Sequence, residues 1–103
     1  MNPDRIRYTQ DSIARKYKDG RTVDDTIEEL KSGKVVADDI PSIRIFEEEG
    51  KIYSLDNRRL YAFKKAGVPV RFKRATPAEV SRERWKFKTP NDGTSIKVRG
   101  MEK

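Results

Sequence analysis

The sequence predicts an α+β fold, a small mixed sheet with flanking helices, and three observations point there. Apolar and polar residues alternate in short runs at 42–46, 52–55, 68–73 and 95–99, the period-two pattern of half-buried strands. Between those runs lie segments with helical spacing, opened by capping residues and closed by glycine. The chain has 103 residues, enough for one hydrophobic core and too few for a second, so 1–103 is read as a single domain.

The elements follow in order. Residues 12–18 carry helical spacing, with Ile13 and Tyr17 one turn apart, until Asp19 and Gly20 stop it. Thr22 reads as an N-cap with Asp25 at the third helical position, a variant of the capping box, and Val23, Ile27 and Leu30 share one face before Gly33 ends the helix. The outward Asp24, Asp25, Glu28 and Glu29 suit the positive end of the helix dipole, which explains them structurally without a metal. After Pro41, Ile43 and Ile45 alternate with Ser42 and Arg44; Glu47, Glu48, Glu49 and Gly50 then form a charged turn into 52–55. Together these make a hairpin, and consecutive carboxylates at its tip are read as solvated. From Asp56 the pattern turns helical, with Leu60 and Phe63 on one face and Gly67 as the stop. Val68, Val70 and Phe72 alternate with Arg71 and Lys73 as a third strand; Thr76, Pro77 and Glu79 open a last helix reaching Trp85. Asn91, Asp92 and Gly93 mark a turn before the final strand at 95–99.

Composition excludes several chemistries. There is no Cys and no His, hence no disulfide framework, no thiol nucleophile and no Cys/His zinc site. No apolar run approaches the ~18 residues of a membrane span, and no leader pattern opens the chain, so no membrane partner is expected. The net charge of +7 is unevenly spread: residues 23–50 carry 3 basic and 9 acidic groups, whereas 51–103 carry 15 basic and 5 acidic groups. A basic half beside an acidic segment is the footprint of a protein that meets a polyanion, because neutralising phosphates releases condensed counterions.

The most informative stretch is Tyr53-Ser54-Leu55-Asp56-Asn57-Arg58-Arg59-Leu60, a strand running through a polar junction into a helix. Backbone N–H groups at a helix start favour an anion. Two arginines in the first turn oppose the dipole, a local cost that a bound phosphate or carboxylate would offset through bidentate hydrogen bonds. The competing reading is internal: Asp56 caps the helix and one arginine bonds to it or to a carboxylate of the acidic segment.

The order strand, turn, strand, then Leu55-Asp56-Asn57-Arg58-Arg59-Leu60-Tyr61-Ala62-Phe63 and Ala66-Gly67, resembles the ParB/sulfiredoxin-like superfamily over residues 4–74. That resemblance implies a phosphate-contacting junction aided by an upstream arginine, for which Arg5 or Arg7 is the counterpart; Asn57 stands where the family usually has glycine or histidine. A longer pattern, from Arg5 to Gln10 through Asp39-Ile40-Pro41 and on to Trp85-Lys86-Phe87 and Asn91 to Ile96, resembles ParB-like modules at the C-terminal ends of bacterial polymorphic toxins of the Rhs and contact-dependent inhibition type. It implies a cargo domain that is secreted or delivered within a larger toxin, acts as a nuclease in the cytoplasm of a target cell, and is neutralised by a cognate immunity protein.

Phosphodiester cleavage without imidazole needs charge stabilisation on the phosphoryl oxygens, for which Arg58 and Arg59 are candidates, and a positioned nucleophile. Water activated by Asp56, water on a Mg²⁺ ion held by a carboxylate, or a hydroxyl such as Ser54 or Tyr53 would serve, and no metal-ligand set stands out. Ser54, Asn57, Arg5 and Arg7 are expected around the phosphate, with Gln10 a weaker candidate. In the tail, Lys86, Lys88, Lys97 and Arg99 interleave with Trp85 and Phe87, a pattern that stacks bases while neutralising phosphates; the two aromatics are more simply expected in the core. The alternatives to a nuclease are a CTP- or ATP-binding or phosphotransferase domain and a DNA-binding module that cuts nothing.

Overall fold

The computed structural model describes residues 1–16, 20–87 and 93–99, with the Lys86 side chain left aside. Three helices pack around two small sheets, an α+β arrangement.

Each helix is set by its ends. The Thr22 hydroxyl accepts from the Asp25 N–H at 3.2 Å and the Asp25 carboxylate accepts from the Thr22 N–H at 3.0 Å, so a full capping box opens α1, Val23–Ser32. Gly33, at φ 79°, closes it in the left-handed conformation. Helix α2, Asn57–Ala66, ends at Gly67, whose N–H reaches the Phe63 carbonyl at 2.9 Å. Helix α3, Pro77–Glu83, starts with a second capping box between Thr76 and Glu79.

Strand β1 is Arg7–Tyr8, β2 Ser12–Ala14, β3 Ile43–Glu48, β4 Lys51–Ser54, β5 Phe72–Arg74 and β6 Lys97–Arg99. The first sheet runs β1-β4-β3-β5: β3 and β4 form the antiparallel hairpin, while β1 joins β4 and β5 joins β3 in parallel. A second sheet pairs β2 with β6, also in parallel. The main core holds Ile6, Tyr8, Ile43, Ile45, Leu60 and Phe63 between the first sheet, α1 and α2. A smaller cluster of Ile13, Val23 and Val98 lies beneath the second sheet, and Tyr61 and Ile96 pack against both clusters.

Four expectations need correction. The segment expected as a helix at 12–18 is strand β2 over its first half, because its partner is β6, more than eighty residues later; Tyr17 and Lys18 lie outside the described residues. The third strand starts at Phe72 rather than Val68. Pro69 has no N–H for a ladder, and the Val70 N–H bonds to the Met1 carbonyl at 2.9 Å before pairing with β3 begins. Phe72 is therefore on the sheet edge, 43% exposed, instead of in the core. The last helix stops at Glu83 and tightens into a 3-10 turn, Arg84–Lys86, which turns Trp85 outward to 73% exposure.

Candidate phosphate-binding site

The junction from β4 into α2 is held from below by buried polar side chains. Ser54 is fully buried, and its hydroxyl accepts the Asp56 N–H at 2.9 Å. The Thr9 hydroxyl donates to the Ser54 carbonyl at 2.9 Å. Asn57 accepts the Thr9 N–H through Oδ1 at 2.9 Å and reaches the Thr9 hydroxyl and Gln10 Oε1 through Nδ2 at 3.0 and 3.3 Å. Such satisfied buried groups fix geometry, so Ser54 and Asn57 brace the start of α2.

Arg44, on β3, organises the charges above that floor. Its backbone N–H and Nε–H donate to Asp56 Oδ2 at 2.7 and 3.1 Å, and its NH2 donates to Oδ1 at 2.9 Å. Its NH1 reaches Glu83 at 2.6 Å and Glu79 at 3.3 Å, drawing α3 onto the sheet. Burial by itself would raise the Asp56 pKa; the side-chain and backbone hydrogen bonds from Arg44, together with the nearby Arg59, outweigh it and hold the carboxyl below its ordinary range. The Arg44 guanidinium is pushed up, first by its bond to Asp56 and then by Glu83.

A hollow of about 440 Å³ opens over this network. Arg58 and Arg59 both line it, together with Arg44 and Arg99, against two carboxylates among the described lining residues, Asp56 and Glu83. Both carboxylates are engaged by Arg44, so the described lining carries an excess of positive charge. Arg58 NH1 donates to the Lys16 carbonyl at 3.0 Å and Arg59 NH1 to the Ser42 carbonyl at 3.3 Å, bonds that hold the side chains in place. Arg59 stands 3.8 Å from Asp56 Oδ2. The Asp56 side chain makes no cap bond to α2 and no acidic residue occupies its first turn, so the start of the helix adds to the positive potential.

Asp56, Arg58, Arg59 and Asn57 therefore meet at one hollow, and Gln10 joins them on its wall. The internal reading is met in part: Asp56 is ion-paired, but chiefly to Arg44, and its side chain does not cap the helix. Ser54 lies beneath the junction and does not line the hollow; Arg5, on the Pro3–Arg5 turn, and Arg7, on β1, do not line it either. Tyr53 stacks on Phe46, with ring centroids 5.6 Å apart, and does not line the hollow. Lys88 lies outside the described residues. Sequence reasoning missed Arg44 and Glu83 as parts of this site and grouped Arg99 with the tail, whereas it lines the same hollow as Arg58 and Arg59. Arg44 reads locally as the outward residue of an alternating strand, and only the fold shows that α3 covers that face.

Among the described residues, no group of three His, Cys, Asp or Glu side chains is arranged to hold a metal ion, and no helix is long and apolar enough to cross a membrane. No family model, curated protein or solved structure matches the chain.

Proposed function

We propose that the chain binds a phosphate-bearing ligand, nucleic acid or nucleotide, in the arginine hollow, and that it serves as the toxin domain of a bacterial polymorphic toxin that cuts nucleic acid in a competing cell. One observation carries the binding reading: Arg58 and Arg59 stand at the start of α2, which the Asp56 side chain does not cap, beside an open hollow whose carboxylates among the described residues, Asp56 and Glu83, are taken up by Arg44. Guanidinium forks beside free helix N–H groups match phosphoryl oxygens in shape and charge. The toxin reading adds the ParB/sulfiredoxin-like resemblance and the basic second half of the chain. In it, Arg58 and Arg59 stabilise charge on the phosphoryl group, and a cognate immunity protein covers the same basic face in a complex that weakens as salt rises.

A second reading, phosphate binding without cleavage, is favoured by the state of Asp56. Its two oxygens accept three hydrogen bonds from Arg44 and its pKa is depressed, which makes it a poor proton acceptor. Purified protein incubated with plasmid DNA, total RNA and each nucleotide, with and without Mg²⁺, separates the readings. Cleavage lost in Arg58→Ala with the fold intact supports the nuclease, while salt-dependent binding with every substrate left whole supports the binding module. Neither cleavage nor binding of any of these ligands overturns both.

A further inference from the structure

A second hollow, of about 350 Å³, opens at the other end of α2. Its walls include Tyr61, Lys64 and Lys65 from the helix and Thr94 and Ser95 from the stretch leading into β6, with Asp4 the single carboxylate among the described lining residues. Both lysines rest on tyrosine faces: Lys64 Nζ is 4.6 Å from the Tyr8 ring centroid and Lys65 Nζ 5.6 Å from that of Tyr61. The helix dipole explains why cations suit this turn. Desolvation pushes the Lys64 ammonium down, and Arg7 adds to the effect against the opposing pull of Asp4, so an anion arriving there would meet an incompletely compensated charge.

The two hollows draw on the same two stretches, α2 and residues 94–99, although no described residue lines both. On α2, Arg58, Tyr61 and Lys65 lie at i, i+3 and i+7, one face of a helix; the first lines one hollow and the other two line the second. Opposite, Thr94, Ser95 and Ile96 line the second hollow and Arg99 the first. Between them Val98 is buried, leaving Lys97 and Arg99 exposed. Seven residues of helix rise about 10 Å, a span over which more than one phosphate of a single strand can make contact.

We propose that the two hollows are the ends of one track along α2, and that its ligand is a single-stranded polynucleotide with one phosphate at Arg58 and Arg59 and another at Lys65. This rests on the phosphate reading of the first hollow. A recess walled on both sides admits one backbone, as basic grooves for single strands do, whereas a duplex presents its phosphates on a broad convex surface.

The test is binding measured by fluorescence anisotropy for labelled thymidine oligonucleotides of one, two, four and eight nucleotides and for a duplex octamer. The intact chain is compared with Lys65→Ala, Lys65→Arg, Arg58→Ala and, as an exposed lysine outside both hollows, Lys34→Ala. Affinity is expected to rise about tenfold or more between one and four nucleotides. Lys65→Ala removes most of that rise while leaving the mononucleotide unchanged, Lys65→Arg restores it, Lys34→Ala keeps it, and Arg58→Ala weakens every length. Affinity that does not grow with length, growth that survives Lys65→Ala or is lost equally in Lys34→Ala, or a duplex bound as tightly as the single strand overturns the track while the first hollow stands. Failure of the intact chain to bind any oligonucleotide overturns the phosphate reading itself, and the track with it.

Discussion

Arg44 gives its backbone N–H and its Nε–H to the same oxygen of Asp56, at 2.7 and 3.1 Å. One residue thus anchors the carboxylate with main chain and side chain together, and the remaining guanidinium nitrogens take Asp56 Oδ1, Glu79 and Glu83. The consequence is electrostatic. Asp56 stands two and three residues before Arg58 and Arg59 in the chain, and a carboxylate so close would otherwise be their first partner.

Replacing Arg44 tests that division of charge. Arg44→Met leaves Asp56 and Glu83 in the hollow without their main counter-ion, facing the arginines meant for a ligand. Phosphate-ligand affinity is expected to fall by about tenfold or more although Arg58 and Arg59 are untouched, and stability by about 2–3 kcal/mol. Arg44→Lys recovers little of either, because an ammonium cannot reproduce the forked geometry. Urea unfolding and oligonucleotide anisotropy read the two effects; an Arg44→Met protein that binds as the parent does would show that Asp56 never competes.

The depressed pKa of Asp56 makes a pH prediction with a definite sign. Its folded value lies below the ordinary one, about 3.9. Its stabilisation is therefore complete above that value and is lost as pH falls through the folded value. Asp56→Asn should be less stable than the parent at pH 7, and the gap should close progressively below about pH 4. Urea midpoints of both proteins between pH 2.5 and 7 measure it, and a gap independent of pH would mean that the pairing with Arg44 contributes nothing.

How far the sequence carried depended on the range of the interaction. The capping boxes at Thr22 and Thr76 and the left-handed glycines 33 and 67 act within a turn, and all four mark helix ends where the pattern put them. The hairpin of β3 and β4 is local too, and Glu49 and Gly50 make its turn at positive φ. Strand β2 went unread because its pairing partner is remote, and the three residues 12–14 carry no signal that separates a strand from a helical turn. At the site, Arg58 and Arg59 were legible from their conflict with the helix dipole. Arg44 and Glu83 come from elements far apart in sequence and meet only when α3 folds over the sheet.

Salt should distinguish the site arginines from the many other cations of a chain with 24 Lys and Arg. Each phosphate contact removed lowers the slope of log affinity against log salt by roughly one unit. Arg58→Ala and Arg59→Ala are each expected to lower the slope by that amount and to cost about tenfold at low salt. Arg71→Ala, at an exposed side chain beside Asp38 on another part of the surface, is expected to leave the slope within error. Equal losses for all three variants would mean that binding follows net charge and not the hollow.

Gly93 ties the wall of the proposed track to the main sheet. The Tyr8 N–H donates to the Gly93 carbonyl at 2.8 Å, and Gly93 adopts φ 78°. A Cβ there would sit 2.2 Å from the Tyr8 carbonyl oxygen and 2.8 Å from its nitrogen, backbone atoms that cannot turn aside as a side chain can. Gly93→Ala thus meets both a conformation that L-residues disfavour and a steric overlap, and is expected to cost about 2–4 kcal/mol. The damage should also be directional: β6 loses its attachment to β1, and Arg99 and Ser95 lose their placement at the two hollows. Amide hydrogen exchange resolved by residue should show Lys97 and Val98 losing protection more than Leu60 or Phe63, which lie in the main core. Uniform loss across the chain would instead mean that residues 93–99 and the main core unfold as one unit.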